Sequence, residues 1–178
     1  MFSNISKYSW FVFVPFVLLG VSTVVLILLE IIPAVYLLFT LLGWILISGL
    51  GVAVGYHRIF SHNNFPNLPI WKENIMLVLG TLSGQGSSIY WSALHRGHHH
   101  RFSDTDRDIH SPTKGIYHAF FGWTTKATQK NQLINFKYAG NLLRKKNHIW
   151  FHENQLTVLW LVPIVMAFID WKISLTLF

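Results

Sequence analysis

The stretch Tyr90–Asp108, YWSALHRGHHHRFSDTDRD, gathers His95, His98 and His99 within five residues. On a helix advancing about 100° per residue they fall in a sector roughly 100° wide, because steps of three and four return to one face. Neutral imidazole is a good ligand for iron, copper, nickel and zinc, and a chain without cysteine offers such ions only nitrogen and oxygen. A lone histidine is more often a satisfied polar residue than a ligand, whereas three on one face of so apolar a chain read as a metal-binding set. His100, about 140° from His95 on the same ideal helix, reads as a solvated neighbour.

Upstream, Gly55–His62 reads GYHRIFSH. Its two histidines, His57 and His62, stand about 140° apart on an ideal helix, so they converge only where the helix ends or bends. Either cluster alone says little, but HxxxxH followed by HxxHH is specific. The surroundings agree, with GQG at Gly84–Gly86, Trp91, the SDTDRD run, HSP at His110–Pro112 and Gly122-Trp123. On these motifs the sequence resembles the membrane fatty acid desaturases, a non-haem di-iron family with three histidine boxes. The likeness is close from about Gly51 to Trp123 and holds by pattern in the flanking apolar spans.

The resemblance implies an enzyme that introduces a double bond into a saturated acyl chain. It would use dioxygen, two irons, and two electrons from a donor such as ferredoxin or a small cytochrome. His57, His62, His95, His98 and His99 match the family's metal ligands. Gln85 and Trp91 match positions that line the bend of the acyl tunnel, ordinary packing being the alternative. Acyl-CoA relatives carry Arg-Asp directly before the second box, where this chain has Ala93 and Leu94. With GQG, this is more like the bacterial and cyanobacterial acyl-lipid branch, so a membrane-lipid acyl chain is expected in preference to acyl-CoA. Asp104, Asp106 and Asp108 either accept the second ring N–H of metal-bound imidazoles or are solvated loop residues. Ile109 stands where relatives commonly have the proline of a DPH sequence.

The family's third box, a pattern like HNxHH, has no match after His99. His148 and His152, four apart, are weak substitutes, and His110 and His118 read as loop residues. The expectation is that this is the N-terminal part of a desaturase, inactive alone or completed by a second polypeptide. A related histidine-box hydroxylase and a non-catalytic, desaturase-derived membrane protein are the rival readings.

Composition agrees with a membrane location. The chain has 178 residues, a length suited to one domain, and is 52% apolar and 16% aromatic. Trp10–Ile32 carries one charge, Glu30, and Ala34–Val54 carries none. About 20 apolar residues suffice to cross a bilayer as a helix, so both should span, and the first is too long for a signal-peptide core. The net charge of +7 does not point to nucleic acid, because the basic residues are mixed with aromatics and no recognition motif is present. They lie mostly between Arg58 and Lys146, while the Glu30–Pro33 turn has none, which places residues 56–149 in the cytoplasm. The absence of cysteine fits a reducing compartment.

Taken in order, Met1–Ser9 is a polar lead, with Tyr8 and Trp10 at the interface. A helical hairpin follows, broken at Pro33, and Gly43, Gly49, Gly51 and Gly55 let helices approach the second span closely. Asn63–Pro69 reads as a turn. Ile70–Tyr90 reads as a helix in or near the interface with Lys72 outward, and Gly115–Lys130 as another. Arg144-Lys145-Lys146 suits anionic lipid, an acidic electron donor, or plain solvation. Trp150–Ile169 reads as a third span that leaves the C-terminal residues on the far side. The expected fold is an all-α membrane protein: a transmembrane hairpin (about 10–32 and 34–54), a cytoplasmic helical cap with interfacial helices, and a third transmembrane helix (150–169).

Overall fold

The computed structural model describes residues 5–103, 105–108, 110–119 and 136–178, and for residues 5–11 the backbone alone. Among the described residues every regular element is helical. Helix α1 is Ile5–Leu28 and α2 is Ala34–Ser61, the latter opening as a 3₁₀ turn (Ala34–Tyr36), continuing as α-helix (Leu37–Gly43) and widening into a π-helix (Trp44–Ser61). Helix α3 is Ile70–Leu82. Helix α4 covers residues 88–102 and is π-helical over His95–His99. After a 3₁₀ turn at Phe136–Ala139 come α5 (Lys146–Glu153), α6 (Gln155–Ile169) and α7 (Trp171–Leu177).

The first hairpin differs in detail from the sequence expectation. Helix α1 stops at Leu28 rather than Ile32, because the chain turns through Glu30 at φ 59° and Pro33 then opens α2. Helix α2 runs on past Val54 to Ser61, so the first histidine box lies at the end of the span itself rather than beyond it. At 28 residues it is long and apolar enough to cross a membrane by length and composition.

Helix α3 packs back along α2. Gly51 lies against the backbone of Leu79 and Gly80, and Gly55 lies against Met76. As the numbering rises along α2 it falls along α3, so the two are antiparallel. The chain then reverses through GQG, where Gly84 (φ 69°) and Gly86 (φ 93°) adopt backbone angles that side-chain-bearing residues rarely take. Ser87 caps α4 by accepting from the Tyr90 N–H at 3.2 Å. Tyr56 ties this turn to α2, its hydroxyl lying 3.2 Å from both Thr81 Oγ1 and the Gly86 carbonyl. Helices α3 and α4 are therefore a hairpin whose return leg rises beside the end of α2, so the segment between the boxes begins and ends at one level.

The predicted third span is not one straight helix. Helices α5 and α6 meet at a 73° bend around Asn154, and α6 carries the apolar run. The chain also does not stay at the far end. Asp170 caps α7 by accepting from the N–H groups of Lys172 (2.8 Å) and Ile173 (3.1 Å), and α7 returns along α2. Tyr36 meets Asp170 at its start, and Gly43 meets the Leu177 backbone at its end.

Burial is uneven. Large exposed apolar side chains crowd α1, the first half of α2 and α6, among them Leu18, Leu28, Trp44, Phe168 and Ile169. The buried core lies at the other end, where Tyr56, Phe60, Leu77, Ile89, Leu94, Leu142 and Phe151 pack together under the histidine boxes. A surface this apolar suits lipid rather than water.

Candidate metal centre

The first box owes its shape to the widened helix. The backbone N–H of His62 donates to the carbonyl of His57 at 3.0 Å, a bond spanning five residues, and the Ser61 hydroxyl makes the same step to the Tyr56 carbonyl at 2.8 Å. A turn closed over five residues puts positions five apart on one face, which an ordinary α-helix does not. The two histidines converge where the helix ends, and a change of pitch in its last turn brings them to one face. Asn63, at φ 57°, then ends the helix in the left-handed conformation that asparagine tolerates.

The second box is built likewise, with the His100 N–H donating to the His95 carbonyl. Helix α4 brings His95 to the first box. His57 Nε2 lies 3.0 Å from His62 Nε2, and His62 Nε2 lies 3.1 Å from His95 Nε2. Two donors at right angles around an ion, with metal–nitrogen bonds of about 2.1 Å, would stand about 3.0 Å apart. The three nitrogens thus fit adjacent positions around one first-row ion. Burial, followed by the proximity of His57, His99, His62 and His100, pushes the His95 imidazole down to about 3, so its nitrogen lone pair is free of protons at neutral pH.

His99 sits beside this cluster, its ring 5.4 Å from that of His95, and its Nδ1 lies 2.8 Å from Asp108 Oδ2. Asp108 is almost wholly buried and also accepts from the His110 backbone N–H at 3.0 Å. Burial alone would raise its pKa, but the His110 and His99 hydrogen bonds outweigh that and hold it below the usual carboxylate value. His99, Asp108 and His110 form a second cluster with ligand atoms within 4.8 Å of one another. His98 is half-buried and joins neither cluster.

Two sequence readings need correction. His100 remains exposed, yet the five-residue turn swings it toward the first box, its ring 5.1 Å from that of His62. His110 is more than a loop residue, since it shares the Asp108 carboxylate with His99; burial, opposed by Asp108, pushes its imidazole down to about 4. The signal available in the sequence was the DxH spacing of Asp108 and His110. Asp106 is exposed and accepts from Thr113 Oγ1 at 3.2 Å, and Asp104 lies outside the described residues.

Trp91 faces two ways. Its Nε1–H donates to Gln85 Oε1 at 3.1 Å, and its ring stacks on His95 with centroids 5.0 Å apart and planes 21° from parallel. It therefore joins the exposed Gln85 at the hairpin turn to the ring cluster. His148 and His152 lie elsewhere. His148 is fully buried between Glu73 Oε1 (2.6 Å) and Ser88 Oγ (2.7 Å), and His152 Nδ1 lies 2.6 Å from Ser87 Oγ. Both serve to dock α5 on the α3–α4 hairpin.

Comparison with known proteins accounts for this arrangement. The fatty acid desaturase family matches residues 31–175. The chain is 42% identical over 80 residues to the sn-1 stearoyl-lipid 9-desaturase of Synechocystis, covering 45% of this chain and 24% of that protein. It is 43% identical over 83 residues to the sn-1 stearoyl-lipid 9-desaturase of Anabaena variabilis, covering 47% and 29%. It is also 33% identical over 134 residues to the hex-5-enoyl-[acyl-carrier protein] acetylenase of Moorena producens, covering 68% and 40%. The matched regions thus span only 24 to 40% of these relatives. No solved structure matches. With its residues from the second span to the last helix matched by one family, and with paired histidine boxes meeting at one point, the chain belongs to the fatty acid desaturases.

Proposed function

We propose that this chain carries the first two histidine boxes of an acyl-lipid desaturase acting on saturated chains in the membrane. The observation that supports this best is the convergence of His57, His62 and His95 Nε2 from two separately encoded boxes. His57, His62 and His95 would hold one iron. His99, oriented by Asp108, and His98 would contribute to the second. Removing hydrogen from methylenes that no neighbour activates is beyond side-chain acids and bases, and iron with dioxygen supplies that chemistry when bound.

The chain's own part is positional. Asp108 fixes the tautomer and orientation of His99, leaving Nε2 as its free ring nitrogen. Trp91 and Gln85 form a wall between the hairpin turn and the ring cluster, and we assign that wall to the passing acyl chain. The preference for acyl-lipid over acyl-CoA rests on Ala93 and Leu94 before the second box and on the stearoyl-lipid desaturases among the relatives. Helices α1, α2 and α6 would lie in the bilayer, with the boxes on the cytoplasmic side. There they would meet an electron donor such as ferredoxin or a small cytochrome. The remaining nitrogen ligands would come from a third box, on further sequence or a second polypeptide.

The test is iron analysis of the purified chain, with gas chromatography of lipids from an expressing host. Iron should bind and fall away when His57, His62 and His95 are replaced by alanine together. Equal iron in wild type and triple variant would overturn the metal reading. Two irons per chain and an unsaturated product without a partner would overturn the need for further ligands.

A further inference from the structure

Arg96 lies inside the second box, directly after His95, and its guanidinium makes four hydrogen bonds to two separate segments. Nε donates to the Ser61 carbonyl (2.6 Å), Nη2 to the Phe60 carbonyl (2.6 Å), and Nη1 to the Tyr138 carbonyl and Asn141 Oδ1 (2.7 Å each). The carbonyls of Phe60 and Ser61 belong to the last turn of α2, where helix geometry leaves acceptors without a backbone partner. One peptide further on is His62. Each end of the bridge is thus one residue from a histidine of the ring cluster.

Other contacts reinforce the same joint. Ser61 and Ser92 hydroxyls lie 3.0 Å apart, and the Arg101 guanidinium donates to the Tyr138 hydroxyl at 2.8 Å. Gly97 leaves room for the Tyr138 ring, since a Cβ there would lie 3.0 Å from it. The segment around Tyr138 therefore seals the outer face of the second box.

Resting on the metal reading above, we propose that Arg96 is a positioning residue, a brace that fixes the distance between the two boxes and thereby the shape of the metal site. A planar fork of five N–H donors can serve four acceptors in two segments at once; a lysine ammonium, with three donors at one point, cannot span them. Ligand sets of this kind must be held within about 0.5 Å of their working geometry. Only a connection shared by both boxes sets the 3.1 Å separation of His62 and His95.

The test uses the full chain in detergent, comparing wild type with Arg96→Gln, Arg96→Lys and Asn141→Ala. Cobalt(II) titration, read by its visible absorption bands, reports the ligand geometry, and amide hydrogen exchange reports the joint without metal. Arg96→Gln should weaken cobalt binding roughly 10–100-fold, as loss of outer partners does, and shift the bands. Arg96→Lys should fail to restore them, and Asn141→Ala, which removes one bond of four, should shift them less. Exchange should rise together in residues 57–64 and 136–142, with α6 unchanged. An Arg96→Gln protein with wild-type cobalt affinity and bands would overturn the brace. Should wild type take up no cobalt, the metal reading fails and exchange alone judges the brace: a joint rise supports it, unchanged protection rejects it.

Discussion

The Nδ1–H of His99 donates to the carboxylate of Asp108 at 2.8 Å, and that carboxylate is 1% exposed. A buried charge held this way acts on His99 and His110 rather than on solvent. Asp108→Ala should therefore lower metal affinity roughly 10–100-fold by freeing the His99 ring, and Asp108→Asn should fall between it and wild type. Asp106→Asn, at an exposed position in the same run, should leave the titration unchanged. Parallel cobalt titrations of the three variants check the ordering.

Trp91 separates two roles by atom. Trp91→Phe keeps a ring to stack on His95 but loses the N–H to Gln85, so metal content should persist while chain-length or positional preference shifts. Trp91→Ala removes the stack as well and should lower metal content. Equal metal loss in both variants would assign the indole to the metal site alone. Metal analysis and lipid chromatography on the same preparations make the comparison.

Acid should loosen the docking of α5. Burial lowers the His148 pKa against the opposing pull of Glu73, so the unfolded chain takes up that proton first. The stability contributed by neutral His148 is complete above the free imidazole value of 6.5 and is lost as pH falls through the lowered folded value. For Glu73, burial alone would raise the pKa, but hydrogen bonds from Lys145 and His148 hold it below 4.5, so its contribution is complete above that value and lost on further acidification. Thermal unfolding in detergent should show stability falling in both pH ranges, and His148→Gln should reduce the loss in the higher one. Glu73→Ala, which strands His148 in the core, should cost roughly 1–3 kcal/mol at neutral pH.

The proposed orientation is checked by single cysteines in a chain that has none of its own. Cysteine at Asn63 or Lys130 should react with an impermeant thiol reagent only from the cytoplasmic side, and cysteine at Glu30 only from the opposite side. Labelling of Asn63 from outside would invert the topology.

How much of this was legible in the sequence depends on the range of the interaction. The two histidine clusters, the GQG turn and the close packing at Gly51 and Gly55 follow from local spacing and residue size, and the sequence displays both. Pitch is different. Nothing in GYHRIFSH announces a turn closed over five residues, so ideal α-helical angles do not give the positions of His62 and His100. The partners of Arg96 and His148 are hidden for a related reason. They lie 35 to 75 residues away, and no periodicity links an arginine to the carbonyls of Phe60 and Ser61. The bend at Asn154 falls in the polar stretch His152–Gln155, through which the expected span Trp150–Ile169 runs as one helix.

The contrast between a tightly packed box end and sparsely packed spans also bears on how the molecule takes shape. Tyr56, Leu77, Ile89 and Phe151 are gathered from four helices, whereas Leu18, Trp44 and Phe168 are largely exposed. Inside a bilayer lipid tails fill that role, and they favour no single arrangement of the stems. Alignment of the stems then rests on the head together with a few junctions along them, such as those at Gly43 and between Tyr36 and Asp170. Dissolving the bilayer would splay the stems while leaving the head, and the histidines it carries, assembled.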